Sequence, residues 1–347
     1  MLKRLSASAR LFDVKASISR FGALFSLAIV AVAAVALYRV LRDIDPHGLL
    51  EALEATDWRT IASAGVFVAA GYLTLTLYDL FALRTIGRRE VPYRAAALAS
   101  FTSYSVGHNV GASVFSGGAV RYRIYSAWGL SVLEVTKICF VAGLTFWLGN
   151  ATVLGLGILD APQQATEIDQ LPLWLNRVFA LIILAALAAY IAWVWARPRV
   201  IGRDGWLLTL PGGPQTLIQI LIGILDLSCC ALAMYMLVPN EPHLGFVPVS
   251  VIFVAATLLG FASHAPGGLG VFDATMLVAL WQFDKEGLLA GLLLFRLLYY
   301  VTPFVISLAI LGTREALLGR GARQLARPAP APLRSAAELV REKSDLA

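Results

Sequence analysis

The chain has 347 residues, of which 59% are hydrophobic and 14% charged, and its mean hydropathy is +0.74; this excludes a soluble domain built on one core and indicates a helical protein of the bilayer. The formal net charge of +6 gathers in the N-terminal segment, some loops and the C-terminal segment, the pattern of cytoplasmic membrane-protein loops and not of a nucleic-acid-binding face. Cys139, Cys229 and Cys230 sit in apolar runs and the four histidines lack acidic or cysteine partners at ligand spacing, which argues against a disulfide framework or a metal site.

In chain order, residues 1–20 read as a basic leader on the cytoplasmic surface, carrying Lys3, Arg4, Arg10, Lys15 and Arg20. The apolar run 21–38 is longer than a signal-peptide core and is predicted as an uncleaved first crossing. Five further runs have the length of a crossing: 61–83, 133–159, 176–196, 217–238 and 287–312. Loop charge orients them. Arg84, Arg88, Arg89 and Arg94 place one loop inside, and so do Arg197, Arg199 and Arg203 for another; the acidic segment 39–60, the loop 160–175 and residues 239–243 read as outside. Arg314, Arg320, Arg323 and Arg327 place the C-terminal segment inside.

With those sides assigned, the apolar stretches 95–131 and 246–283 must each enter the membrane and return to the side they left. Both contain breaks, "GHNVG" (107–111) and "SGG" (116–118) in the first and "SHAPGGLG" (263–270) in the second. Such backbone is tolerated at membrane depth only inside protein or beside a wet cavity. The expected fold is therefore an all-α polytopic membrane protein: six full crossings within 21–312 plus two broken or re-entrant helical hairpins. The order helix, hairpin, helix occurs twice with opposite entry sides, the signature of an inverted-topology repeat with a binding site where the broken elements meet. The Pro- and Ala-rich residues 313–347 read as a mostly disordered cytoplasmic tail.

Ionisable groups at membrane depth cost at least about 2.5–3.5 kcal/mol and need a partner or a wet path. Asp226 and Arg296 lie near the middles of their helices and are expected to pair across the bundle or to serve a charged substrate. Glu134 and Lys137, three apart, can pair on one helix face. Asp79 lies nearer the cytoplasmic end of its helix, where it snorkels or caps a neighbour. Ser116, Gly117 and Gly118 precede an expected helix start at Ala119, whose bare N–H groups favour an anion. Arg121 and Arg123 either snorkel to the interface or grip a phosphate, which arginine binds in bidentate fashion; Arg121 is the better candidate, with Asp79 as an alternative partner for one of the two. His108 and Asn109 in the first break, and Ser263, His264, Pro266, Gly267 and Gly268 in the second, are candidate substrate contacts or packing groups at helix breaks. No catalytic residue, cofactor motif, P-loop, G-x-S-x-G elbow or H-E-x-x-H run is found.

The run "SYSVGHNVGASVFSGGAVRYRIYSAWGLS" (103–131) together with "SHAPGGLGVFDA" (263–274) resembles the lysylphosphatidylglycerol synthetase transmembrane family, the membrane part of the bacterial multiple peptide resistance factor. The resemblance covers roughly residues 15–320. It implies a multi-pass protein of the bacterial inner (plasma) membrane, both of whose termini the basic segments above predict to be cytoplasmic. It implies a lipid transporter or flippase, not an enzyme, that moves an anionic or aminoacylated phospholipid between leaflets. It also places Asp273 in the substrate-binding set with the residues of both breaks. No synthase domain is expected after Gly312, so aminoacyl transfer is not carried over. A separate lipid synthase is the implied protein partner, and a homo-oligomer is compatible with the sequence. A membrane-embedded enzyme that modifies lipid headgroups, and a non-catalytic scaffold for a lipid synthase, are the competing readings.

Overall fold

The computed structural model describes residues 45–110, 113–203 and 206–325, together with Tyr38. The expected leader, the crossing at 21–38 and the chain beyond 325 lie outside the described residues. Helix α1 (Pro46–Ala55) starts where Asp45 accepts hydrogen bonds from the His47 and Gly48 amides. Asp57 caps α2 (Trp58–Thr85) in the same way. Then come α3 (Tyr93–Val110) and α4 (Ser113–Tyr125), a short 3-10 turn and α5 (Val132–Asp160). Ser131 and Glu134 form a reciprocal capping box at the start of α5, satisfying two amides that a helix start leaves open. Next are α6 (Pro162–Asp169), α7 (Leu173–Ala196), strands β1 (Val200–Arg203) and β2 (Trp206–Thr209), α8 (Gly213–Leu237) and α9 (Phe246–Ala262). A 3-10 turn at Pro266–Gly268 leads to α10 (Val271–Ala279). The last described span is α11 (Lys285–Arg296), a π turn (Leu297–Val301) and α12 (Thr302–Leu325).

The protein is an all-α polytopic membrane protein, with five described helices long and apolar enough to cross a bilayer. Four of the predicted runs match α2, α5, α7 and α8, and 287–312 matches the α11–α12 run. The one sheet among the described residues is an antiparallel hairpin pairing Val200 with Thr209 and Arg203 with Trp206, which the apolar pattern did not reveal. The stretches 95–131 and 246–283 are both helical hairpins. Their first arms, α3 and α9, rise about 27 and 26 Å, and their return arms, α4 and α10, about 20 and 14 Å, against about 30 Å of hydrocarbon. The return arms are thus too short to cross.

One expectation is corrected at the first hairpin. Gly117 and Gly118 do not sit at a break, and no helix starts at Ala119: α4 begins at Ser113 and runs through both glycines. Gly117 is small because α3 lies against it; a Cβ there would stand 3.1 Å from the Ser103 carbonyl oxygen. A glycine required for close helix packing looks the same in sequence as one that ends a helix.

Core packing centres on α8. Asp226 faces Thr74 and Tyr78 of α2, while Cys229 and Cys230, one turn later on α8, face the earlier Gly71; α2 and α8 therefore run antiparallel. Against α5 the register advances together, from Thr145 with Gln219 to Gly149 with Gly223, so α5 and α8 run parallel. The last contact is backbone on backbone: a Cβ on Gly149 would stand 2.7 Å from the Gly223 Cα. Because the first helices of the two helix–hairpin–helix sets are antiparallel, the second set is inverted relative to the first. Helix α7 buries only Asn176, Ala180, Leu187 and Val194 and turns the rest of its apolar surface outward, as a lipid-facing helix does. Residues 308–347 form a separate unit whose described part is the end of α12, which continues past Gly312 to Leu325.

Candidate functional site

Three acidic groups and two arginines lie inside the bundle. Asp79 on α2 is fully buried and Arg121 on α4 is 6% exposed. The arginine Nε donates to both carboxylate oxygens, at 3.1 and 3.0 Å, and Nη2 donates to Oδ1 at 2.8 Å. The Tyr125 hydroxyl adds a bond to Oδ2 at 2.7 Å. The face of Tyr104 on α3 covers the guanidinium at 4.7 Å, a cation–π contact. Asp79 therefore neither snorkels nor caps a neighbour. It is the buried counter-charge of Arg121.

Arg296 near the end of α11 holds Asp273 of α10, with Nε to Oδ1 at 2.8 Å and Nη2 to Oδ2 at 2.5 Å. Its Nη1 also donates to the Gly267 carbonyl at 3.2 Å, fastening the hairpin turn to the last span. The expected Arg296–Asp226 pair does not form. Asp273 lies in the first turn of α10, where its carboxylate also accepts from the Gly270 amide at 3.0 Å, and it reaches Arg296 first. The Glu134–Lys137 pair does not form either: Glu134 takes Arg88 at 2.6 Å across the loop and closes its own helix cap.

Asp226 stands apart. It is 4% exposed in the middle of α8. Its carboxylate accepts from the Tyr78 hydroxyl at 3.0 Å and lies 3.4 Å from the Thr74 hydroxyl and 3.9 Å from the Cys230 thiol. No arginine, lysine or histidine pairs with it among the described residues.

The two hairpin tips meet. His108, at the end of α3, stacks on Tyr299 at 5.8 Å and leans on Tyr104 and Tyr300. A Cβ on Gly267, in the second tip, would stand 3.4 Å from the His108 carbonyl oxygen. Asn109 donates to the Tyr300 carbonyl at 3.1 Å, and Tyr72, midway along α2, donates to the Tyr299 carbonyl at 3.0 Å. The chemistry of Pro303 explains the Tyr299 acceptor. Proline has no N–H, so the Tyr299 carbonyl, four residues earlier, has no helical donor. The helix widens into the π turn, the Thr302 amide and hydroxyl both bond Leu297, and the freed Tyr299 carbonyl accepts from Tyr72 of the first repeat.

Of the sequence-predicted residues, His108, Asn109, Gly267 and Arg296 converge here, with Asp273 behind Arg296. Arg121 lies beyond Tyr104, at the far end of a ring series that runs Tyr104, His108, Tyr300 and ends over Arg296 at 5.4 Å. Gly118 faces Cys139, Ser116 lies half-buried in α4, and Arg123 is exposed on α4. In the second tip Ser263 is buried and bonds the Gly260 carbonyl at 2.6 Å. His264 is exposed with φ +56°, and Pro266 is exposed at the start of the turn. Gly268 has φ +61° and packs on Gly260. The sequence reading missed the tyrosines Tyr72, Tyr78, Tyr104, Tyr125, Tyr299 and Tyr300. Their signal was present in the Tyr104–His108 spacing of four and in the Tyr299-Tyr300 pair within an apolar run.

The profile of the lysylphosphatidylglycerol synthase TM region matches residues 24–307. An uncharacterized protein of Synechocystis sp., slr0712, is 30% identical over 267 residues, covering 76% of this chain and 82% of that protein. The inner membrane protein YbhN of Escherichia coli is 28% identical over 279 residues, covering 78% and 81%. The phosphatidylglycerol lysyltransferase of Staphylococcus haemolyticus is 27% identical over 316 residues, covering 88% of this chain but 34% of the lysyltransferase. The chain thus spans about a third of that enzyme's length.

Proposed function

This chain belongs to the family of the lysylphosphatidylglycerol synthase transmembrane region, and from that premise we propose that it moves a phospholipid with an anionic or aminoacylated headgroup between the leaflets of a bacterial inner membrane, leaving the lipid chemically unchanged. The observation that carries this reading is the tip-to-tip meeting of two incomplete hairpins beside two arginines held by aspartates. Such tips place polar backbone and charge at depth, where a headgroup must be met during a crossing. In the state described both guanidiniums are satisfied. A lipid phosphate enters by replacing an aspartate on one of them, since it offers the same bidentate acceptor geometry. Arg121, with Arg123 beside it in sequence, is the entry from one side and Arg296 from the other, while the acyl chains stay in the bilayer. Cytoplasmic termini, supported by the loop arginines, put the Arg121 end inside, where a separate synthase would deliver lipid.

The test is reconstitution into phosphatidylethanolamine–phosphatidylglycerol vesicles with headgroup-labelled phosphatidylglycerol or lysylphosphatidylglycerol, followed by quenching of label in the outer leaflet. Exchange faster than in protein-free vesicles is expected, with Arg121→Ala and Arg296→Ala slowing it. Exchange no faster than in empty vesicles for either lipid refutes the reading. A chemically altered lipid recovered from the vesicles favours a headgroup-modifying enzyme instead.

A further inference from the structure

We propose that Asp226 is a proton-binding site in the seam between the two repeats, and that loading and release of its proton drives lipid movement; the second clause rests on the function proposed above. Asp79 and Asp273 each face a guanidinium, whereas Asp226, equally buried, faces only neutral donors: the Tyr78 and Thr74 hydroxyls and the Cys230 thiol. Among the described residues, no element packed around Asp226 brings a cation into contact with it. Helix α2 brings Tyr72 and Tyr78, α3 brings Tyr104, the π turn brings Tyr299, and α8 itself adds Cys229 and Cys230. Helix α9 has no titratable side chain. On α5 the titratable residues Glu134, Lys137, Cys139 and Asp160 lie toward the ends, away from the Gly149–Gly223 contact. Helix α7 brings Tyr190 against Ile220 and Ile224, on the far side of α8's apolar surface. Arg296 of α11 is occupied by Asp273. A carboxylate in such a shell has hydrogen bonds but no counter-charge, and at membrane depth a proton is the ligand that neutralises it.

The position of Asp226 gives that proton a mechanical consequence. It sits where α2 of the first repeat and α8 of the second pack together, beside Gly71, whose added Cβ would meet the Cys230 sulfur at 3.4 Å. This is the surface on which one repeat must shift against the other during alternating access. A neutral Asp226 lets the seam close around Tyr78 and Thr74. An ionised one leaves an unpaired charge there and favours a state that admits water.

The experiment uses the full chain in the same vesicles with headgroup-labelled phosphatidylglycerol, now under an imposed pH gradient. With one proton carried per lipid, the steady-state ratio of label between leaflets shifts by about tenfold per pH unit in the wild type. Asp226→Asn exchanges label with a ratio that ignores the gradient. Wild-type exchange that is indifferent to the gradient, or an Asp226→Asn protein still driven by it, overturns the proposal while leaving lipid movement standing. If the wild type moves no label at all, the function proposed above fails, and infrared difference spectroscopy decides the proton site alone. A carboxylic-acid carbonyl band at neutral pH that Asp226→Asn removes upholds it, and absence of that band refutes it. Should Asp226→Asn fail to fold, Tyr78→Phe takes its place. Loss of that donor must shift the pH at which the band disappears, and an unmoved band counts against the site.

Discussion

Asp79 and Arg121 lie 42 residues apart in sequence and share three hydrogen bonds. Neither Asp79→Asn nor Arg121→Leu is a small change, because each strands a buried charge. Each is expected to cost about 3–5 kcal/mol, read as a fall in melting temperature in detergent. The double variant should recover much of that loss, and a double as unstable as the sum of the singles would show that the pair does not act as a unit. The sequence marked both residues as needing partners and offered Asp79 as one partner for an arginine. It paired Arg296 with Asp226 where the structure has Asp273, because that choice depends on where α10 begins. The tyrosines escaped notice because a hydrophobicity count scores Tyr104 and Tyr299 as ordinary apolar residues, although their rings and hydroxyls link the ionic groups.

At the scale of elements, loop charge alone located both hairpins. An even number of passes was required within 95–131 and within 246–283, and both stretches proved to be paired helices. The break was legible in the second hairpin, where Pro266, Gly267 and Gly268 form the turn, and in the first at 107–111, where α3 ends at Val110; the break read at 116–118 was not one, because Gly117 serves packing. Glycine substitutions separate the two uses. Gly149→Ala drives a methyl group into the Gly223 backbone and should lower the melting temperature clearly, whereas Gly143→Ala, with nothing within 4 Å of its added Cβ, should leave it unchanged or slightly higher. Gly267→Ala meets a different obstacle, a φ of +60°, and should cost about 1–2 kcal/mol from backbone strain. Equal melting temperatures for Gly149→Ala and Gly143→Ala would disprove the close α5–α8 contact.

For the molecule as a whole, the inverted arrangement follows from antiparallel α2 and α8, and it fixes which loops share a side. Single cysteines placed at Arg89 and Arg199, with the native cysteines replaced by alanine, should resist a membrane-impermeant maleimide in intact spheroplasts. Cysteines at Gln163 and Glu241 should react. Labelling of Arg89 and Glu241 positions alike would contradict the inverted arrangement. Arginine placement predicts this sidedness, since it depends on charge counts and not on contacts. The seam between repeats was not, because the residues that form it, Gly71, Thr74, Tyr78 and Asp226, belong to two helices whose apolar patterns say nothing of each other.

Pro303 reverses the usual lesson about proline in a helix. By propensity, Pro303→Ala should be a gain of about 3 kcal/mol in a helix interior. Here the missing amide keeps the Tyr299 carbonyl open as a socket, and the plug is the Tyr72 hydroxyl. Repairing the helix would close that socket and leave the Tyr72 hydroxyl without a seat, so the better helix would make the looser protein. The imperfection in the last span is the fastening that holds the first repeat to it.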